Sequence, residues 1–101
     1  MVTEVTSVDE IRKGKVLVDF YTNSCAPCKA MHPILEELSK EFKDVRVAKV
    51  EVSQNPDVSQ MFGIMSVPTI IFMDNCQVKE TLRGFSNKQT LKSLVQSYVN
   101  G

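Results

Sequence analysis

Val16-Leu17-Val18-Asp19-Phe20-Tyr21 is the segment that most narrows the folds open to this chain. It is rich in β-branched and aromatic residues, and Asp19 alone interrupts it. A run that is apolar at consecutive positions, rather than alternate ones, suits a strand covered on both faces. Layers must then lie on both sides of the sheet that contains it. After Cys25-Ala26-Pro27-Cys28, the residues Cys28, Met31, Leu35, Leu38 and Phe42 recur at helical spacing, which predicts a long amphipathic helix. Pro33 inside it removes one backbone donor. Val45 to Val52 then returns to strand composition, with Lys49 among apolar residues. Two strands joined by a crossover helix run parallel.

The remaining segments follow from caps and turns. Ser7 with Glu10 reads as a capping box opening a short helix that stops at Gly14. Asn55-Pro56-Asp57 sets an N-cap residue before proline at the first helical position, and that helix runs to Phe62 and ends at Gly63. Thr69 to Met73 and Val78 to Leu82 flank the turn Asp74-Asn75-Cys76 and form a hairpin. Ser86 and Gln89 read as a second capping box, followed by the buried stripe Leu91, Leu94, Val95, Tyr98 and Val99. Val2 to Thr6 has the makings of an edge strand. Together these elements make an α/β sandwich with a mixed central sheet, one domain over residues 1–101.

Charge narrows the function. Twelve basic and twelve acidic side chains cancel, so the basic excess of a nucleic-acid binder is missing, and nothing draws the chain to an anionic membrane. No apolar run approaches the roughly 20 residues of a membrane-spanning helix. Met1-Val2-Thr3-Glu4 lacks the basic and apolar blocks of a secretory leader, which makes the cytoplasm the expected setting. The three cysteines are an odd count with one close pair, unlike the even framework of a stapled secreted domain.

The pair itself carries the chemistry. Cys25 lies where a buried strand ends and a long helix begins. A helix N-terminus presents free N–H groups and partial positive charge, which stabilise a thiolate and lower its pKa. Cys25, placed first, is the candidate attacker. Cys28, one turn further in and facing Met31 and Leu35, is the candidate resolving thiol. Pro27 fits the first turn, where its missing N–H costs nothing. An inert local bridge and a zinc site are the competing readings. Zinc needs four ligands, and only Cys76 and His32 remain as candidates. An extended strand from Pro68 would carry Cys76 about 20 Å from the pair, at roughly 3.3 Å per residue.

Read in order, these segments resemble the thioredoxin family over essentially the whole chain. The strand Val16 to Tyr21 with Cys25-Ala26-Pro27-Cys28-Lys29 resembles its active-site stretch. Ala48-Lys49-Val50 with Gln54-Asn55-Pro56, Phe62-Gly63-Ile64 with Val67-Pro68-Thr69, and Gly84-Phe85-Ser86 resemble its later segments. The resemblance implies a three-layer sandwich and reduction of protein disulfides by dithiol–disulfide exchange. No bound cofactor is implied beyond the cysteine pair. The implied partners are a thioredoxin reductase, NADPH- or ferredoxin-linked, and disulfide-containing proteins, with the chain acting as a monomer. It implies a catalytic set of Cys25, Cys28, Asp19 and Pro68, with Asp19 moving the proton of Cys28 and Pro68 held cis against the cysteines. Ser24, Pro27, Val67, Gly84 and Phe85 are the implied substrate-binding residues, with Val67 pairing its backbone with an extended substrate strand. Lys49, a possible partner for Asp19, and Ala26 are candidate tuning residues.

The chain departs from the family at three points. Ser24 stands where tryptophan is usual, Tyr21 replaces another tryptophan, and Ala26 replaces a glycine. Two other readings therefore stand beside the reductase: a docking module with secondary redox turnover, and an oxidase or isomerase outside the cytoplasm. Ala26-Pro27, with no histidine between the cysteines, argues against the oxidase. His32 is a boundary residue, with tuning of Cys28 or carrying of a proton as its functional readings, and Cys76 is an exposed turn thiol.

Overall fold

A computed structural model of the chain describes residues 1–99. Its elements in order are β1 (Val2–Glu4), a 3-10 turn (Val8–Ile11), β2 (Lys15–Tyr21), α1 (Ala26–Glu41), β3 (Arg46–Glu51), α2 (Pro56–Met61), β4 (Thr69–Asp74), β5 (Gln77–Arg83) and α3 (Lys88–Val99). The strands form one sheet in the order β1-β3-β2-β4-β5. β2 runs parallel to β3 and antiparallel to β4, β1 runs parallel to β3, and β5 runs antiparallel to β4. The sheet is mixed, as the sequence implies, and the apolar strand β2 is its middle strand.

Alternation along the strands divides the core in two. Val16, Val18 and Phe20 of β2 join Ala48, Val50, Ile71 and Met73 in a cluster with Ile11 and Val58, so the 3-10 turn and α2 cover this face. Leu17, Val47, Ile70 and Phe72 point the other way and meet Met31, Leu35 and Leu38 of α1 and Leu91 and Val95 of α3. Three layers result. Because both faces are covered, Val16 to Tyr21 is buried throughout. Asp19 alternates with Leu17, and so lies on the α1 side of the sheet.

The capping box at Ser7 forms, with the Ser7 hydroxyl accepting from Asp9 N–H and Glu10 reaching back to Ser7 N–H at 3.1 Å. It opens a single 3-10 turn instead of an α-helix. The box expected at Ser86 and Gln89 does not form. Asn87 caps α3 instead, its Oδ1 accepting from Thr90 N–H at 2.9 Å, while Gln89 bonds Ser93. Asn55 precedes α2 but does not cap it with its side chain; its amide donates to Glu51 O at 2.9 Å. The hairpin turn is tighter than the sequence suggests. Asn75 and Cys76 both take positive φ, and Asn75 anchors the turn to Gly14 through two backbone-directed bonds of 2.8 and 3.0 Å.

Phe72 is fully buried and stacks on Tyr98 of α3 with ring centroids 4.8 Å apart. Truncation there removes core contacts from both sheet and helix. Phe72→Ala is expected to lower stability by about 3–5 kcal/mol, read as a lower urea midpoint with unchanged slope.

Candidate active site at the junction of β2 and α1

The chain leaves β2 at Tyr21 and turns once before α1. Cys25 N–H donates to Thr22 O at 3.2 Å, closing that turn. Cys25 is then the N-cap of α1, with extended backbone (φ −86°, ψ 110°). Its carbonyl accepts the first helical bond, from Lys29 N–H, and its sulfur accepts from Cys28 N–H at 3.2 Å. One of the orphan donors of the helix start is thereby aimed at Sγ. The same donor, with the helix dipole behind it, favours negative charge on that sulfur when the pair is reduced. Cys25 and Cys28 are joined by a disulfide, their Cα atoms 5.3 Å apart. Cys28 is fully buried, whereas Cys25 keeps partial access to solvent. That asymmetry leaves Cys25 the more accessible sulfur of the pair. Ser24, Ala26 and Pro27 are exposed around it.

Asp19 is fully buried, and neither of its carboxylate oxygens has a hydrogen-bond partner among the described residues. Burial raises its pKa to about 7, against the pull of the Lys49 charge and with help from Glu4. Lys49 lies opposite Asp19 in the parallel register of β2 and β3, but does not form the ion pair suggested for it. Its ammonium pairs with Glu4 at 3.8 Å and sits over the Tyr21 ring, 5.6 Å from the centroid. The group that does approach Asp19 is His32, with Nε2 3.5 Å from Oδ2. His32 follows Cys28 by one turn of α1, so the carboxylate lies beneath the helix that carries the buried cysteine.

The Val67–Pro68 peptide bond is cis. Pro68 is buried and Val67 half-buried. Thr69 hydroxyl donates to Ser66 O at 2.7 Å, and Gly84 N–H donates to Pro68 O at 2.8 Å. Gly84 has φ +88°, a backbone that favours glycine. It ties the segment after β5 to the cis proline and leaves Phe85 half-exposed beyond it. A shallow cleft of about 230 Å³ runs between Thr22 of the cysteine loop and Ile64, Met65, Ser66 and Val67. Met65 is 95% exposed at its rim.

Sequence reasoning missed Glu51. It is buried at the end of β3, where Oε1 accepts from Ser53 N–H at 2.6 Å, from the Ser53 hydroxyl and from Gln54 N–H, and Oε2 accepts from Asn23 N–H at 3.2 Å. The Ser53 bond is the main reason its pKa lies below the usual carboxylate range. Glu51 fastens the cysteine loop to the β3–α2 turn. The signal was present: an acidic residue closing a strand, directly before the turn Val52-Ser53-Gln54 with its polar Ser53 and Gln54. Thr22 and Met65 also escaped notice. Cys76 is a free, exposed thiol on the hairpin. Among the described residues, no three His, Cys, Asp or Glu side chains are grouped to hold a metal ion.

The buried carboxylate links stability to pH. A carboxyl whose pKa is 3.8 when unfolded and about 7 when folded gains a proton on folding between those values. Its stabilising contribution is complete below pH 3.8 and is lost as pH rises through about 7. The span corresponds to about 4 kcal/mol at 1.36 kcal/mol per unit. Asp19→Asn is therefore expected to be more stable than wild type at pH 8 by up to about that amount, with the difference shrinking towards pH 4. Urea titrations at the two pH values measure it. Equal differences at both would contradict the buried, proton-binding carboxyl.

A family model described as Thioredoxin matches residues 2–97. The thioredoxin of Listeria monocytogenes is 34% identical over 99 residues, covering 97% of this chain and 96% of that protein. The thioredoxin of Bacillus subtilis is 37% identical over 91 residues, covering 89% and 88%. Among solved structures, Plasmodium falciparum thioredoxin superposes with a TM-score of 0.87 at 33% identity, covering 96% of this chain and 99% of that one. The chain belongs to the thioredoxin family, and thiol–disulfide exchange is the reaction of its Cys25–Cys28 pair.

Proposed function

We propose that the chain, as a single domain over residues 1–101, reduces disulfides in other proteins with Cys25 as nucleophile and Cys28 as resolving thiol. The observation that carries this assignment is the unequal setting of the two sulfurs. Cys25 caps the helix start and is partly exposed, while Cys28 is wholly buried one turn further on. The reduced Cys25 thiolate attacks a substrate sulfur and displaces the first substrate thiolate. Cys28 then loses its proton and attacks Cys25 Sγ. The second substrate thiolate leaves with the electron pair of the broken bond, and the Cys25–Cys28 disulfide remains. Two electrons have passed from the protein to the substrate.

Asp19 is assigned the proton of Cys28. A carboxyl poised near neutral pH binds and releases that proton at the working pH. Lys49 tunes it through its charge, and Ala26 stiffens the cysteine loop relative to glycine. Pro68 supports the cysteines, and Val67 offers its backbone to an extended segment of the substrate. Ser24, Pro27, Gly84 and Phe85 border the docking surface, to which the exposed Met65 adds an adaptable apolar contact. An external thioredoxin reductase, NADPH- or ferredoxin-linked, restores the dithiol, and the protein carries electrons as a monomer. No helix among the described residues is long and apolar enough to cross a membrane, and the proposed setting is the cytoplasm. A docking module with secondary turnover would use the same exposed Met65 and Phe85, so activity decides between the two.

The test uses a protein disulfide substrate with dithiothreitol as electron source. Wild type is expected to accelerate its reduction and Cys25→Ser to fall to the uncatalysed rate. Pre-reduced Cys28→Ser, mixed with substrate after removal of dithiothreitol, is expected to accumulate mixed disulfides, seen on non-reducing gels. A wild-type protein that binds the substrate without accelerating its reduction would leave only the docking module.

A further inference from the structure

We propose that His32 is the residue through which protons pass between buried Asp19 and solvent, an inference that rests on Asp19 handling the proton of Cys28. A carboxyl that takes a proton in every cycle must also release it. Asp19 has no exposed surface, and both its oxygens lack a hydrogen-bond partner among the described residues. His32 Nε2 is also buried without a hydrogen-bond partner, and it stands 3.5 Å from Asp19 Oδ2. The same residue lines a cleft of about 360 Å³ with Lys29, Pro33, Glu36 and Lys49, and its side chain is 28% exposed. One imidazole therefore touches both the enclosed carboxylate and an open cavity. The Tyr21 ring meets it edge-on, with centroids 4.9 Å apart and planes at 88°, which orients it.

The charged surroundings suit a neutral relay. Burial disfavours a second proton on the ring, and the Lys49 charge on β3 adds to it. Glu4 on β1 acts the other way, but it is engaged by Lys49 and by the Tyr21 hydroxyl of β2. Lys29 and Glu36 of α1 face the cleft with opposite charges. The ring is thus held below its ordinary pKa and is uncharged at neutral pH. With its proton on Nδ1, it offers the Nε2 lone pair to Asp19.

The step balances. Cys28 gives its proton to the Asp19 carboxylate as its sulfur attacks Cys25, and the departing substrate thiolate takes a proton from water. Asp19 passes its new proton to His32 Nε2, and Nδ1–H is released to water. The carboxylate is restored, and a flip of the ring carries Nε2–H towards the cleft, where it exchanges with water before the ring turns back in its starting tautomer. His32 touches neither sulfur in this scheme. It is a positioning residue that acts through Asp19.

Multiple-turnover reduction of a protein disulfide, in which Asp19 must be reset between cycles, tests the relay, compared at several pH values for wild type, His32→Leu, Asp19→Asn and the double variant. Leucine keeps the space filled and removes the proton carrier. His32→Leu is expected to slow turnover by about tenfold at pH 7, less than the roughly 10²–10⁴-fold attributed to a direct acid–base group. The double variant is expected to match Asp19→Asn, because the relay has no function without the carboxyl. Added imidazole is expected to restore His32→Ala, whose cavity admits it. A fast His32→Leu beside a slow Asp19→Asn overturns the relay and leaves the Asp19 assignment standing. A fast Asp19→Asn overturns both. Wild-type NMR gives a readout independent of these variants' folding: the His32 ring signals are expected to show an inflection near the Asp19 titration at about pH 7, lost in Asp19→Asn. Ring signals indifferent to Asp19 would also overturn the relay.

Discussion

Burial of β2 on both faces is the constraint on which the rest of the molecule depends. The strand lies between β3 and β4, with α1 and α3 on one side and α2 and the 3-10 turn on the other. Its side chains hold both cores together, so its position and register are fixed. Whatever emerges from its end is held as firmly. That is where Cys25 is found, at the start of a 16-residue helix packed on the same sheet. The active sulfur is therefore placed by rigid elements, and only the short turn Thr22-Asn23-Ser24 intervenes. Glu51 fastens even this turn, through Asn23 N–H.

The same burial creates an electrostatic tension. The helix start offers N–H groups and partial positive charge to Cys25, which favours its thiolate. Three residues on, Cys28 has no exposure, and burial favours its neutral thiol. Beneath them, Asp19 occupies a core position where an ionised carboxylate is expensive. The cost is stability at neutral and higher pH, and what it supports is a proton-binding group where water does not reach. A leucine at that position would fit the core better and would bind no proton. The departure from a purely apolar strand is thus both the weak point of the fold and the most telling feature of the site.

Much of this was legible in the sequence because one principle governed each feature. The apolar character of β2, interrupted by Asp19 alone, foretold a strand with two covered faces. The stripe of Cys28, Met31, Leu35 and Leu38 foretold which side of α1 meets the sheet, and with it the burial of Cys28. What could not be read depended on competition between near-equal partners or on packing between distant elements. Ser86 and Asn87 are adjacent candidates for one cap; Ser86 is buried and Asn87 reaches Thr90. Asn55 had a choice between Pro56-Asp57 ahead and the Glu51 carbonyl behind, and took the latter. Lys49 faced Asp19 in register but found Glu4 once β1 added to the sheet edge. The approach of His32 to Asp19 arises only when α1 lies across β2. Linear sequence shows His32 at the margin of a helical stripe and gives no sign of what that margin meets.

This geometry sets two chemically identical thiols in unlike surroundings, and the proposed division of labour between them follows from it. Alkylation of the reduced protein by iodoacetamide as a function of pH, with the modified cysteine identified by peptide mapping, tests it most directly. Rapid modification of Cys25 is expected, with an apparent pKa well below the ~8.5 of an ordinary cysteine, together with protection of Cys28 throughout. Equal modification of both thiols, or a Cys25 that titrates like a free cysteine, would contradict it.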